Sequence, residues 1–164
     1  MALFIAYVVV FLLAAIPFFE VVGVIAIGVA AGLPAIPVTI IAFLGNMLTI
    51  VLLILLMDKV KLWMAKRREK KGKAPSKKKT ERAERIWNRF GLPGLSIVSP
   101  ILIGSHFGVI LAMGFGGTKK QVLLWMTISI VAWSIVTGIS AFYGFDFLYG
   151  HSEQGGFLVD LLKR

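Results

Sequence analysis

Long runs of apolar residues dominate the chain, and they predict helices that lie in a membrane. The runs extend from Ala2 to about Leu56, from about Leu92 to Gly117 and from Gln121 to Phe145. A helix needs about 20 mostly apolar residues to cross a bilayer, so each run is long enough for at least one passage. The pattern therefore indicates an all-α integral membrane protein.

Prolines and one acidic residue divide the first run, which is too long for a single crossing. The dividing residues are Pro17, Glu20, Pro34 and Pro37. They leave predicted helices over residues 2–16, 20–32 and about 36–57. The middle helix has 13 residues, and at ~1.5 Å per residue it reaches only ~20 Å of a ~30 Å hydrocarbon core. We therefore expect it to enter the membrane from outside and to turn back at residues 33–37.

A proline also interrupts the second run, at Pro100, and charge decides how we place this segment. Positively charged flanks favour the cytoplasm, which puts residues 59–89 inside. Lys119 and Lys120 share that side only if the segment 92–117 enters the membrane and returns, whereas its length alone fits either path. With the N-terminus inside, the prediction is about three full crossings and two opposed re-entrant hairpins. This is an inverted repeat like that of many secondary transporters.

The predicted path divides the chain into four parts. Residues 1–58 form a first membrane half with a helix, a hairpin and a crossing helix. Residues 59–89 form a basic cytoplasmic loop with an amphipathic helix over 80–88. Residues 90–146 form a second membrane half, and 147–164 a short tail. The protein is therefore expected to be a multi-pass protein of the cytoplasmic membrane.

Composition supports the membrane location and limits the partners. The chain is 58% hydrophobic and 16% charged, whereas soluble domains average about 45–50% apolar and about 25% charged residues. Fourteen of the 18 lysines and arginines lie between Lys59 and Arg89, without the aromatic interleaving of a nucleic-acid interface, so nucleic acid is excluded. The candidates for contact with anionic lipid head groups in this loop are Lys66, Arg67, Arg68, Lys77, Lys78 and Lys79.

The residue types in the sequence also argue against several kinds of site. Cysteine is absent and the two histidines lie 45 positions apart, so no metal site and no cofactor are expected. No nucleophile and base occur at a spacing that suggests catalysis, which argues against an enzyme. Asp58 is followed by Lys59 and Lys61 at the end of the predicted crossing helix, and a local ion pair is expected there.

Glu20 is the first candidate for function in the membrane. It follows 19 residues without a charge, and a carboxylate in or near hydrocarbon is a functional candidate by default. It could bind and release a proton as access alternates. The alternative is that it marks the start of a helix at the interface, where its charge stabilises the helix dipole.

Further polar residues accompany the two predicted breaks. Asn46 lies near the middle of the crossing helix and could line a pathway with backbone freed around Pro34, or hydrogen-bond to a neighbouring helix. A helix broken at Pro100 would expose backbone groups at membrane depth. The candidates there are Arg89, Ser96, Ser99, Pro100, Ser105 and His106. Packing serines, a structural histidine and an interfacial anchor at Arg89 are the alternatives.

Glycine pairs add an expectation about packing. Gly28 and Gly32, and likewise Gly104 and Gly108, have the GxxxG spacing that lets helices approach closely in membranes. The contact could join the two hairpins or two copies of the chain in a homodimer.

Taken in order, these motifs resemble the small multidrug export protein family, distant kin of the DedA or VTT (SNARE-associated) membrane proteins. The resemblance is carried by Glu20, by the turn Gly32-Leu33-Pro34, by Gly45-Asn46, and by the stretches Phe90–Leu95 and Ser99–Gly104. It implies two opposed re-entrant hairpins and movement of drugs, lipid carriers or ions, coupled to protons. The paired arginines of the relatives are missing, because no arginine lies between Arg89 and Arg164.

The sequence therefore predicts a transporter of small or amphipathic substrates, with proton-coupled export as the leading function. A lipid or lipid-carrier scramblase of the DedA type is the alternative. A membrane scaffold that recruits partners through the basic loop, without transport, is the second alternative.

Overall fold

The computed structural model describes residues 2–17, 19–60, 62–63, 66 and 77–149, and every regular element among them is helical. The all-α prediction is thereby confirmed. The main helices are α1 (Ala2–Ala15), α2 (Val21–Ala30), α3 (Ala35–Leu55), α4 (Lys77–Leu102), α5 (Ser105–Gly114) and α6 (Lys119–Tyr149).

Two of the helices in the described part of the chain are long and apolar enough to cross a membrane. They are α3, with 21 residues, and the stretch Lys119–Gly144 of α6, with 26. The predicted first crossing, α1, has only 14 residues, which corresponds to ~21 Å and falls short of a ~30 Å core.

The described residues form two compact units. One contains the chain up to Leu48 together with the residues from Ile130 onward, and the other contains residues 49–129. The long helices α3 and α6 therefore contribute to both units.

In the first unit, α2 is paired with α1. The two helices are joined by the short link 16–20 and lie antiparallel in contact. The side chains of Val10 and Val38 both reach Gly28, where an added Cβ would lie 2.7 Å from Val38 Cγ1. The sequence analysis predicted that α2 alone enters the membrane and turns back at residues 33–37. In the structure α2 pairs with α1, because α1 is short enough to fold back along α2.

The helix α1 also lies against α3, and this contact gives the level along α3 of the link that joins α1 to α2. Phe11 and Ala14 contact Gly45, whose added Cβ would overlap the Phe11 carbonyl oxygen. Since Gly45 is near the midpoint of α3, the link 16–20 lies level with the middle of that helix.

The turn after α2 begins and ends earlier than predicted. Gly32 adopts φ 90°, and the amides of Gly32 and Leu33 donate to the carbonyls of Val29 and Gly28, which is a glycine-terminated helix end. The turn covers residues 31–34, and α3 begins at Ala35. Pro37 lies in the first helical turn, where the missing N–H costs nothing.

In the second unit, Gly91 divides α4 into two helical segments. Its φ of 63° and ψ of −158° are not helical, so residues 77–90 and 92–102 point in different directions. The first segment contains the helix predicted over 80–88, and its Trp87 ring contacts Phe115 with centroids 5.5 Å apart. The second segment packs against α5.

The boundaries around α2 recur in the second unit 84 residues later. Val21, Gly32 and Ala35 correspond in position to Ser105, Gly116 and Lys119, which begin α5, end it and begin α6. Gly116 has φ 106°, and the Gly117 amide donates to Ala112 at 2.9 Å as in the first helix end. Both short helices have 10 residues.

Large apolar side chains cover much of the described surface, as expected for helices in contact with lipid. Those with more than half of their surface exposed include Phe4, Ile36, Ile40, Leu44, Leu124, Ile135, Ile139 and Phe142.

Candidate functional site

The antiparallel pair formed by the second segment of α4 and by α5 contains the largest group of predicted site residues, and all of them are buried. None of the four polar side chains has more than 6% of its surface exposed. We call this group the serine–histidine cluster, and its members are Ser96, Ser99, Pro100, Ser105 and His106.

Glycine lets the two helices of this pair approach closely. A Cβ added to Gly108 would lie 2.5 Å from both Cβ and Oγ of Ser99. Gly104, with φ 94°, forms the turn and donates its amide to the Ser99 carbonyl at 2.6 Å. The Gly104 and Gly108 pair therefore produces tight packing between α4 and α5.

The proline in α4 leaves a carbonyl without its helical donor, and a serine supplies another. Pro100 has no N–H to donate to the Ser96 carbonyl one turn earlier. The Ser99 hydroxyl donates to that carbonyl instead, at 3.1 Å, and also lies 3.8 Å from the Met126 sulfur. The helix therefore continues through Pro100 to Leu102, so the predicted break at Pro100 is wrong and the turn lies at residues 103–104 instead.

His106 lies between two hydroxyl groups. Its Nε2 is 2.9 Å from Thr49 Oγ1 on α3, and its Nδ1 is 3.3 Å from Ser105 Oγ. A neutral imidazole has one N–H donor and one acceptor nitrogen, and a hydroxyl can match either. Both ring nitrogens are thus satisfied in an apolar setting. Thr49 was not among the residues predicted from the sequence.

Two hydroxyls of this unit have no hydrogen-bond partner in the described part of the chain. Ser96 Oγ and Ser129 Oγ are buried without one. An unpaired hydroxyl in an apolar interior is costly, so both groups suit a polar occupant such as water or a substrate group. Ser129 was also missed by the sequence analysis, because a lone serine in a crossing helix is common.

In the first unit, Glu20 lies at the link between α1 and α2. It occupies the position before the first residue of α2, with extended backbone and no capping bond from its side chain. Its carbonyl accepts from the Val24 amide at 3.1 Å, and one carboxylate oxygen is buried. Glu20 therefore starts a helix, level with the middle of α3, and its role in proton exchange stays a prediction.

Asn46 is fully buried on α3. Its neighbour Gly45 is the contact point of α1, so the carboxamide lies at the height of the link that holds Glu20. A buried carboxamide at this height fits either the predicted pathway or a bond between helices.

The remaining predicted residues lie away from these groups. Pro34 is exposed in the turn before α3, where its carbonyl accepts from Val38. Arg89 is exposed, with its guanidinium carbon 5.2 Å from the centroid of the Phe90 ring. Of the predicted lipid contacts, Lys66 is exposed, and the side chains of Arg67, Arg68, Lys77, Lys78 and Lys79 lie outside the described part.

An ion pair joins a residue just after α3 to the start of α6. Lys119 Nζ donates to Asp58 Oδ2 at 2.7 Å, and both side chains are exposed. The sequence analysis expected Asp58 to pair with Lys59 or Lys61 and did not include this contact with Lys119. Because the two residues are 61 positions apart in the sequence, no local pattern indicated this contact.

The chemistry of the described residues is hydrogen bonding and proton exchange. No group of three metal-binding side chains occurs among them. Imidazole and carboxylate groups can pass a proton, and hydroxyl and carboxamide groups buried among apolar helices can bind a polar group of a molecule in the membrane.

Comparison with known families shows which family the chain belongs to. The profile of the small multi-drug export protein family matches residues 20–136, which include Glu20, Asn46 and the whole serine–histidine cluster. The chain belongs to the small multi-drug export protein family. No curated protein and no solved structure matches it. Membership confirms the resemblance drawn from the motifs, and with the apolar helices it indicates a membrane protein of a family named for export.

Proposed function

We propose that this member of the small multi-drug export protein family moves small or amphipathic substrates out of the cell, with protons as the coupling ion. The observation that carries the proposal is the hydrogen bond between His106 and Thr49 on α3. The helix α3 contains no charged residue. A buried polar group at such a depth in a membrane protein marks a pathway for ions or substrates.

The ion pair gives the depth of that bond. Because Asp58 and Lys119 are charged and exposed, we place them at one face of the membrane. Thr49 precedes Asp58 by nine residues, or ~13 Å along a helix, which is about half of a ~30 Å core. The helix α5 and the second segment of α4 therefore form a re-entrant hairpin, which enters the membrane and returns at the same face.

A similar depth supports a re-entrant hairpin in the first half. Gly45, which contacts α1, lies 10 residues after Ala35 at the start of α3, or ~15 Å along the helix. The link that holds Glu20 is then near the middle of the membrane. We accordingly propose that α1 and α2 form the first hairpin and that α1 does not cross.

The spacing of 84 residues supports an inverted repeat, with a hairpin followed by a crossing helix in each half. The first hairpin enters at the start of α3, and the second enters at the face where α3 ends. With residues 59–89 in the cytoplasm, the first hairpin enters from outside, so the N-terminus is outside as well. Opposed hairpins of this kind suit alternating access.

Glu20 is the proposed proton-coupling residue, and its substitution tests the transport function. In proteoliposomes, Glu20→Gln should reduce proton-driven flux of a lipophilic cationic dye at least tenfold, because the amide cannot exchange a proton. Glu84→Gln is the matched control, since Glu84 is exposed on α4, and should keep parental flux. Undiminished gradient-driven flux in Glu20→Gln would exclude this role.

Lipid translocation is the second candidate, and an apolar groove in the first unit favours it. The groove has a volume of about 340 Å³ and is lined by Ile36, Thr39, Ile40, Ile135, Gly138 and Phe142 among others. Its open, apolar lining fits an acyl chain. Scrambling of fluorescent lipids by the purified protein without a proton gradient would support this function over driven export.

A further inference from the structure

One threonine of the two long apolar helices contacts a different element through its hydroxyl. Thr39 and Thr127 donate to carbonyls of their own helices, four residues earlier, each at 2.8 Å. Thr49 reaches a different element, since its Oγ1 lies 2.9 Å from His106 Nε2, 57 residues away. Its hydroxyl therefore connects α3 to the tip of the second hairpin.

The connection determines the orientation of the imidazole. Ser105 is the neighbour of His106 in the chain and follows every movement of the hairpin. Thr49 belongs to α3, so its bond fixes the ring relative to the crossing helix. The bond also restricts the proton on Nε2, because the two partners must have complementary donor and acceptor roles.

We infer that Thr49 is a positioning residue for His106, which acts through its hydroxyl and holds the imidazole in the orientation that the pathway requires. The inference rests on the proposed function, because it assumes that His106 belongs to the transport pathway. A hairpin that moves during transport would have to break or exchange this bond.

The first experiment detects the bond without measuring transport. The chain has two histidines, so His151→Gln leaves His106 as the sole source of imidazole nitrogen signals in solid-state NMR of protein in liposomes. We expect Thr49→Val to shift these signals, and Thr49→Ser to leave them near the parental positions. Thr127→Val is the matched control and should shift nothing.

The second experiment measures flux with the same variants. Thr49→Val should lower proton-driven flux of the cationic dye about three- to tenfold, the size expected for one lost hydrogen bond. Thr49→Ser should recover it to within about twofold.

The outcomes separate the positioning role of Thr49 from the role of His106 in the transport pathway. Unchanged nitrogen signals in Thr49→Val, or a Thr49→Ser variant as impaired as Thr49→Val, would overturn the positioning role. Shifted signals with normal flux would keep the bond but remove His106 from the transport pathway, which His106→Gln should then also leave intact. Thr49→Ala serves as a second test if the valine variant does not insert.

Discussion

Ser99 replaces the donor that Pro100 cannot provide, and this exchange lets a helix in the membrane contain a proline. On the proposed membrane path water is scarce here, so the Ser96 carbonyl must be satisfied by the protein itself. The Ser99 hydroxyl lies 3.1 Å from that carbonyl. Ser99 therefore has a structural role that depends on Pro100. This role can be tested separately from a role in substrate binding.

Ser99→Ala should lower the free energy of unfolding by ~1–3 kcal/mol, because it leaves a buried carbonyl unpaired. In a Pro100→Ala background the restored N–H can donate to Ser96, so the same change should cost less than ~1 kcal/mol. Unfolding of the four proteins in mixed micelles gives the coupling between the two sites. Equal costs in both backgrounds would contradict the exchange.

Ser129→Ala is the control for this cycle. Its hydroxyl is buried without a partner in the described part of the chain, so its removal breaks no protein hydrogen bond. The change should alter the free energy of unfolding by less than ~0.5 kcal/mol, or increase it.

The sequence could predict part of the site at this scale. Ser99, Ser105 and His106 were identified because they surround a proline within an apolar run. Thr49 could not be identified, since threonine is an ordinary residue in a crossing helix and nothing local indicates a partner 57 residues away. Side-chain pairing between distant elements depends on packing, which hydropathy does not encode.

At the scale of elements, close approach of the helices stabilises the second hairpin. The hydrophobic effect gives little driving force between helices in lipid, so small residues at the contact matter. Gly108 meets Ser99 with no room for a side chain. The α4–α5 contact therefore depends on this glycine.

Gly108→Val should destabilise the protein by ~1–3 kcal/mol, because the added atoms must displace α4. Gly114→Ala is the matched control on the same helix, since nothing lies within 4 Å of the position of its Cβ. Thermal unfolding in detergent measures both. A Gly108→Val protein as stable as the control would show that the two helices can separate at no cost.

In the first half of the chain, helix boundaries were predicted better than helix pairing. The expected helices over 2–16 and 20–32 differ by no more than two residues at either end from α1 and α2, because proline and glycine interrupt helices locally. The pairing of α1 with α2 was missed, since α1 is apolar on all sides and its sequence does not select a neighbour. Its length of 14 residues was the signal available.

At the scale of the whole molecule, the position of Lys119 beside Asp58 supports the membrane path. If residues 92–117 return to the face they left, Thr118 must lie on the same side as Lys73 in the basic loop. Ala31, before the start of α3, must lie on the opposite side. These positions can be tested directly, because the chain contains no cysteine.

Single cysteines at Lys73, Thr118 and Ala31 should divide into two groups when intact cells are treated with an impermeant thiol reagent. Ala31→Cys should react from outside, whereas Lys73→Cys and Thr118→Cys should react only after the membrane is permeabilised. Reaction of Thr118→Cys in intact cells would mean that the second hairpin crosses the membrane, and the inverted repeat would be lost.

The equal spacing of Gly32 and Gly116 from the helices around them also bears on how the chain inserts. On the proposed path, each half is one hairpin and one helix, and the two halves insert in opposite directions. The 14 basic residues between Lys59 and Arg89 would fix that choice by holding the connection on one side.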